Sequence, residues 1–580
     1  MGILLKKPNK EIKKRQKNEP SDFTKSLKKI REHHTPLHTI EVEIEATKLQ
    51  SWKLLRISEH LRLIRNTVLG QVYKNYQQMI RTKEYRMALR TYKKVSEELV
   101  KVACQKEIKK LESLKNEAKK GFDELRSKYQ VTFDFVRNYG TYLRDTKYHL
   151  PDAVTVWSVC EMVWSSIERI MYGEAGKPRF YKKRDFVTLQ GKQAERCIIL
   201  KHDSKKETFH ISHNGMKLPL IIKKRDLFIQ ETLSHVVNYM NDGSQIDKEN
   251  VERHEMGKTI HSTYRIRNNR IVIKEIHGKL RFYVQIVLEG TPVVKRKKDG
   301  SFRHTYGVGR LGVDIGTQSI AIVSLHEVKL KNLAERSHKV FNIERKVGLE
   351  NRYLSRSRRA TNPKNYNKDG TIKKGKKKWV KSKRYDKRQK KLKELQRRTA
   401  SSRKYAHNEE VNTLRSLGDE LFIETMNIKG LQKKAKSVTR NEKTGKFNKR
   451  KRFGKSIGKR SPGYFIKQAK YRFLITEGNV HEVNTWKYKA SQYDHIINDT
   501  NKKQLSKRWH ELPNGLKIQR DLYSAFLLYC SEDTLEKPNR NKCLQEFNSF
   551  YDKHQHCIEQ IRNNHVVVLN SGIKINKVVS

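Results

Sequence analysis

Residues 38–47 (His-Thr-Ile-Glu-Val-Glu-Ile-Glu-Ala-Thr) alternate between apolar and polar positions, the period of a strand with one buried face. The period then lengthens. Leu54, Ile57, Leu61, Ile64 and Val68 recur at spacings of three and four, which is one face of a helix. Helical patterns with Lys and Arg on the polar faces continue to about residue 170, where Gly176 and Pro178 break them. Strand-like runs follow at 196–201, 208–223, 260–275 and 281–288 and predict a small β-barrel. Past residue 305 the pattern changes again. Leu311-Gly312-Val313-Asp314-Ile315-Gly316 and then Ile320–Val323 read as a strand, a glycine turn and a second strand. Leu421-Phe422-Ile423-Glu424 is a short apolar strand with an acid at its carboxyl end, and Leu522–Leu528 is a helix with a wide apolar face, opened by Asp521. Residues 1–35 are Lys-rich and lack apolar periodicity, as a flexible basic arm does, and residues 433–462 read as a mobile Lys/Arg/Gly-rich loop.

Charge narrows the function classes. The 580 residues carry 127 Lys and Arg against 62 Asp and Glu, a formal net charge of +65. Such self-repulsion calls for a polyanion, and nucleic acid relieves it through phosphate neutralisation and counterion release. A membrane surface fits poorly, because no run approaches the ~18–20 apolar residues of a spanning helix. The start Met1-Gly-Ile-Leu-Leu-Lys-Lys is too short in apolar residues for a signal peptide, and Lys6 stands where a myristoylation motif wants Ser or Thr. The expected setting is therefore intracellular. Six scattered cysteines (104, 160, 197, 530, 543, 557) form no Cys-x-x-Cys pair, so neither a disulfide framework nor a cysteine zinc site is indicated. His554, His556 and Cys557 lie close together on a helical tail without a second pair of ligands, and read as solvated or half-buried side chains.

Two basic segments are candidates for nucleic-acid contact. In the first, Arg179, Lys182, Lys183 and Arg184 interleave with Phe180, Tyr181 and Phe186: the bases suit phosphates, and the aromatics either stack on bases or anchor a strand to a core. The second runs from Lys373 through Lys376, Lys377, Lys378 and Trp379, then from Lys381, Lys383 and Arg384 to Arg397 and Arg398. Leu392 and Leu395 give it helical spacing, so it reads as a phosphate-tracking helix.

The chemistry rests on three acids. Asp314 sits in an apolar hairpin, where an ionised carboxylate is costly unless a cation or donor pairs with it. Glu424 ends a strand and Asp521 opens a helix, each unremarkable alone, since an acid at a helix start complements the dipole. Together they make a set of hard oxygen ligands. Two Mg²⁺ ions about 3.5–4 Å apart activate a water and stabilise a departing 3′ oxygen during phosphodiester cleavage. Asp314 is assigned as the bridging ligand, with Glu424 and Asp521 on the flanks. Arg520 is a phosphate contact or a salt-bridge partner in the helix cap.

The ordered set Gly-Val-Asp314-Ile-Gly, Phe-Ile-Glu424-Thr-Met-Asn-Ile-Lys-Gly and Arg520-Asp521-Leu-Tyr-Ser-Ala resembles the split RuvC motifs of TnpB-type transposon-encoded RNA-guided endonucleases, and is similar to the related compact type V CRISPR effectors. Gly176-Lys-Pro-Arg-Phe, the basic helix before Glu424 and Trp486–Gln492 resemble the family too, so that the likeness covers roughly residues 165–530. It implies an α+β multidomain chain: an RNase H-like (RuvC) nuclease domain plus a wedge β-barrel with an inserted helical recognition lobe. The corresponding map is a basic arm at 1–35, a first wedge strand at 36–50, the lobe at 51–172, the barrel at 173–304, the nuclease domain at 305–530 and a helical tail at 531–580. Guide RNA and target DNA are the implied partners, with base pairing reading the sequence. The implied cofactor is a pair of Mg²⁺ ions, with Mn²⁺ as substitute. Two positions depart from the family. The four-cysteine zinc ribbon, which would fall within 486–520, has Asp494, Ile497, Glu511 and Asn514 at its ligand places, so no zinc is expected there and packing by Trp509 and Leu512, or mobility, must replace it. Tyr523 stands where the family has Asn. The alternatives are a type V CRISPR effector, a guided DNA-binding repressor that no longer cuts, a transposase, and a basic scaffold protein.

Overall fold

A computed structural model describes the chain except residues 1–21, 34–35, 99–104, 184, 259, 298, 300, 302, 335–337, 434–436, 438, 442–444, 446–452, 502–503, 505–506 and 576–580. It divides into two units, Met1–Val294 and Lys295–Ser580. Among the described residues no helix is long and apolar enough to cross a membrane.

In the first unit, helix α1 (Asp22–His33) precedes strand β1 (Leu37–Ile44). Then come α2 (Lys48–Met79), α3 (Lys83–Glu98), α4 (Gln105–Lys128), α5 (Phe133–Thr146) and α6 (Ala153–Met171). Strands β2 (Thr188–Gln190), β3 (Ile199–Asp203), β4 (Thr208–His213) and β5 (Met216–Ile221) lead to helix α7 (Leu227–Glu255) and the long hairpin of β6 (Ile266–Ile276) and β7 (Lys279–Glu289). The strands form one seven-stranded sheet in the order β2-β6-β7-β1-β5-β4-β3, every pair antiparallel. The alternation at 38–47 places Ile40, Val42 and Ile44 in the core, and the three–four spacing buries Leu54, Ile57, Leu61, Ile64 and Val68 completely. A capping box starts α2: Thr47 Oγ1 accepts from Gln50 N–H, and the Gln50 side chain accepts from Thr47 N–H.

Three expectations need correction here. The described part of the basic arm is a helix, α1, because Phe23, Leu27 and Ile30 fall at helical spacing and Ile30 is buried against the unit. The run at 208–223 is two strands, turned at Asn214-Gly215, where both residues adopt positive φ. The expected barrel span, 173–304, also holds the 29-residue α7, in a stretch to which no element was assigned; its polar middle hid it.

The second unit is built on a five-stranded sheet ordered β10-β9-β8-β11-β12. Its strands are β8 (Arg310–Ile315), β9 (Ser319–Ser324), β10 (Val328–Asn332), β11 (Glu420–Glu424) and β12 (Asn479–Val483). The first three form an antiparallel meander, and β11 and β12 join parallel to β8. Between the meander and β11 come α8 (His338–Thr361) and α9 (Lys383–Leu417), packed on each other. After β11 come α10 (Ile428–Gln432), α11 (Gly454–Arg460) and α12 (Pro462–Ile475). The segment at 433–462, expected as a loop, therefore ends in a helix, and much of the rest of it lies outside the described residues.

Period-two alternation divides the sheet into two faces. Leu311, Val313, Ile315, Ile320, Ile322, Leu421 and Ile423 pack with Val411 and Leu414 of α9 and Phe465 and Phe473 of α12. On the other face, Ala321 and Val323 pack with two later helices, α14 (Arg520–Tyr529) and α15 (Arg540–Asn563), through Phe526, Phe547 and Phe550. The segment read as a helical tail thus supplies one wall of this core. His554 and Cys557 are buried in it; His554 Nε2 accepts the Gln519 N–H at 3.0 Å.

Gly312 lets α14 lie directly on β8. A Cβ there would stand 2.0 Å from the Ala525 carbonyl oxygen and 2.3 Å from the Tyr529 nitrogen, both backbone atoms. Gly312→Ala is therefore expected to destabilise this unit by about 3 kcal/mol or more, since neither backbone can give way. A calorimetric melting scan checks it; an unchanged transition would contradict the packing.

Candidate nuclease site

The strand register places the first two acids. On the parallel pair β11 and β8, Ile423 lies opposite Val313, so the next residues, Glu424 and Asp314, stand side by side at the carboxyl ends of adjacent strands. Asp314 shares its strand face with Gly312, two residues earlier, and that is the face α14 covers. Ala525 sits over Gly312, and Asp521 is about one helical turn before Ala525, towards the amino end of α14. The positive end of the helix dipole is thus on the side of the acids.

The electrostatics agree. Enclosure by protein, then the charge of Asp521, then that of Glu424, raise the Asp314 pKa well above the carboxylate range, against the opposing pull of Arg520 and Arg508. Burial pushes Glu424 up to about 7. Asp521 has its own counter-ions. Its Oδ1 accepts from Arg520 Nη2 at 3.1 Å and Nε at 3.2 Å, and lies 3.7 Å from Arg508 Nη1. Among the described residues no three His, Cys, Asp or Glu side chains are grouped so as to hold one ion as they stand. Two crowded carboxylates whose ionisation the protein resists, with a third held by arginines, nevertheless fit a hard divalent cation: it relieves the repulsion that protons otherwise relieve.

The shifts predict a pH dependence. Glu424 binds its proton more tightly folded, near 7, than at its ordinary 4.5. Its stabilising protonated form is complete below 4.5 and is lost as pH rises through 7. In metal-free buffer, stability should therefore fall between pH 5 and pH 8 by on the order of 2 kcal/mol more in the unaltered protein than in Glu424→Gln. Equal slopes in denaturant titrations would refute this.

Around the acids the chain is held tightly. The Gln519 side chain caps α14 by accepting from Leu522 N–H at 2.8 Å, and its amide donates to Ser571 O at 3.2 Å. At the four positions compared with ribbon cysteines in the sequence, Asp494 and Asn514 accept from the N–H groups of Ile496 and Leu516 in turns, Ile497 is exposed, and Glu511 lies in a short hairpin opposite Lys517. Tyr523 is fully buried and points into this loop: its hydroxyl meets His495 Nδ1 at 2.8 Å and accepts the His495 N–H at 3.1 Å. Leu512 is buried in the core and Trp509 packs against it, with Nε1 donating to Gly572 O at 3.0 Å.

The basic candidates are placed unevenly. Arg179, Lys182 and Lys183 are exposed on the first unit, and Arg184 lies outside the described residues. Their aromatic neighbours divide: Phe180 is half exposed, whereas Phe186 is buried and Tyr181 lies under the Arg65 guanidinium, 3.8 Å from the ring centre. Tyr181 and Phe186 are thus anchors, not stacking surfaces. In the second unit Lys376, Lys378 and Lys381 are exposed in the loop before α9, while Lys377 Nζ donates to the Lys374 and Gly375 carbonyls. Lys383, Arg384 and Arg398 are exposed on α9; Arg397 is paired to Glu394. Arg520 is the salt-bridge partner of Asp521.

No family model matches the chain, and no curated protein does. Solved structures similar to it include the Cas12f1-sgRNA-target DNA complex, with 9% identity, 86% of this chain and 99% of that one covered, and a TM-score of 0.40. A CRISPR-Cas12f ternary complex matches at 11% identity over 81% of each chain with a TM-score of 0.24. A Cas12i complex with crRNA and double-stranded DNA matches at 9% identity, over 88% of this chain and 65% of that one, with a TM-score of 0.21. The overlap is loose, and the chemistry is carried by the residues themselves.

Arg508 and Gln519 border the acids and belong to no motif. Arg508 and Gln519 lie beside the short hairpin of Trp509–Glu511 and Lys517–Gln519, too brief to show a period. Tyr488 is buried and its hydroxyl donates to Leu527 O at 2.6 Å, a contact no local pattern announces. For Trp486, a bulky aromatic among polar residues was the available signal.

Proposed function

We propose that this chain is an RNA-guided DNA endonuclease of the kind encoded by transposable elements, cutting phosphodiesters with a RuvC-like site. The carrying observation is that Glu424 and Asp521, far from Asp314 in sequence, both lie close enough to raise its pKa at one end of the second unit's sheet. A mixed sheet with acids at the carboxyl ends of adjacent parallel strands supports an RNase H-like nuclease domain. In the first unit, Asn269 accepts the Gly191 N–H through its carbonyl and donates its side-chain amide to Ile198 O, so the sheet curls, which supports the wedge-barrel reading. Helices α2 to α6 are then the recognition lobe.

Asp314, Glu424 and Asp521 would hold a pair of Mg²⁺ or Mn²⁺ ions. Bound there, the ions supply Lewis-acid activation of water and charge for a departing 3′ oxygen. The chain does the rest. Protein around Asp314 strips water from the reacting region, α14 fixes the spacing of the acids, and Arg508 and Arg520 orient the Asp521 side chain. Exposed Lys and Arg of α9 and its preceding loop hold phosphates. Guide RNA and target DNA are the proposed partners, in a cytoplasmic, nucleoid-associated setting. A type V CRISPR effector would use the same chemistry in another genomic context.

One observation favours a second reading, a guided repressor that binds without cutting: the arginine clasp on Asp521, beside a Tyr523 that faces inward. Purified protein with its RNA, Mg²⁺ and a matched target decides. Cleavage supports the endonuclease; tight binding without cleavage supports the repressor.

A further inference from the structure

The structure points to Trp486 as a stacking platform for an unpaired base of the strand being cut, set beside Glu424 so that the next phosphate lies at the acids. We infer this on top of the nuclease reading. The Trp486 side chain is 88% exposed, in a residue type that is mostly buried on average. The chain's other tryptophans have partners. Arg56 lies over Trp52, Lys192 over Trp157 and Arg358 over Trp379, Phe133 packs on Trp164, and Trp509 donates to Gly572. Trp486 has no such partner among the described residues.

Its backbone is nevertheless fixed. It lies on the four-residue helix α13 (Thr485–Tyr488), where its N–H donates to Asn484 Oδ1 at 2.9 Å. Thr485 Oγ1 donates to Thr425 O at 2.6 Å, and Thr425 is the residue after Glu424. Tyr488 is buried beneath, tied to Leu527 and to Ser531 Oγ at 2.7 Å. Val483, three residues earlier, is the strand partner of Glu424. A rigid mount that offers a bare indole to solvent a few residues from a catalytic acid is costly unless something covers the ring. In a protein of net charge +65 the fitting occupant is a nucleobase, with its phosphates met by the exposed Lys489.

Two measurements test it. With the guide-loaded protein and a matched target, Trp486→Ala should slow cleavage about tenfold or more while Trp486→Phe keeps most of the rate, the scale of one lost base–aromatic stack. In an Asp314→Asn background, where cutting is off, short single-stranded DNA should quench tryptophan fluorescence, and Trp486→Phe should remove that quenching. Cleavage by Trp486→Ala at the unaltered rate, or quenching that survives Trp486→Phe, overturns the assignment while leaving the nuclease intact. If the unaltered protein cuts nothing, the nuclease reading falls and quenching alone decides: loss in Trp486→Phe supports the platform, persistence or absence overturns it.

Discussion

Asp314→Asn should bind guide RNA and target as the unaltered protein does, yet cut roughly a thousandfold more slowly or not at all. The size follows from position. Asp314 is the acid whose ionisation both of the others oppose, so it is the one that two cations would share. The amide keeps the shape and removes the charge, and would leave the proposed pair of ions without an anionic ligand. A second readout separates this from misfolding. Without metal, Asn also removes the repulsion from Asp521 and Glu424, so the variant should melt no lower than the unaltered protein above neutral pH. A variant that cuts normally, measured as rate against Mg²⁺ concentration, would end the two-metal proposal. One that fails to cut because it melts much lower would leave Asp314 as a structural residue.

The second large effect is on salt. If nucleic acid is the partner that relieves a net charge of +65, affinity should fall about 10³- to 10⁵-fold between 50 and 200 mM salt, the slope expected for six to ten phosphate contacts. Exposed Lys376, Lys378, Lys381, Lys383, Arg384 and Arg398 are the groups to remove in turn, and each true phosphate contact should flatten the slope by about one. Lys377 and Arg397, already engaged within the protein, should change it less. Filter binding across a salt series reads this directly, and a flat series would exclude phosphate-led binding.

Much of the fold was legible because burial imposes simple periods. The alternation at 38–47 and the three–four spacing from Leu54 to Val68 each became the expected element, and the hairpin around Gly316 became β8 and β9. The three acids stood out in the sequence because each lies within, at the end of or at the start of an apolar element, where a charge is conspicuous. What stayed hidden depends on contacts distant in sequence. Nothing local says that Arg508 reaches Asp521, that Tyr523 turns to His495, or that Tyr181 serves as the seat of Arg65. The helix α7 was masked by a polar middle that stays exposed or half-exposed, so no apolar period runs through it.

The contact at Gly312 has one more consequence. Main chain rests on main chain there, so the gap between the strand bearing Asp314 and the helix bearing Asp521 is a ruler that no side chain can lengthen or shorten. Any change in the separation of Asp314 and Asp521 must therefore come from moving whole elements, not from exchanging side chains at the contact.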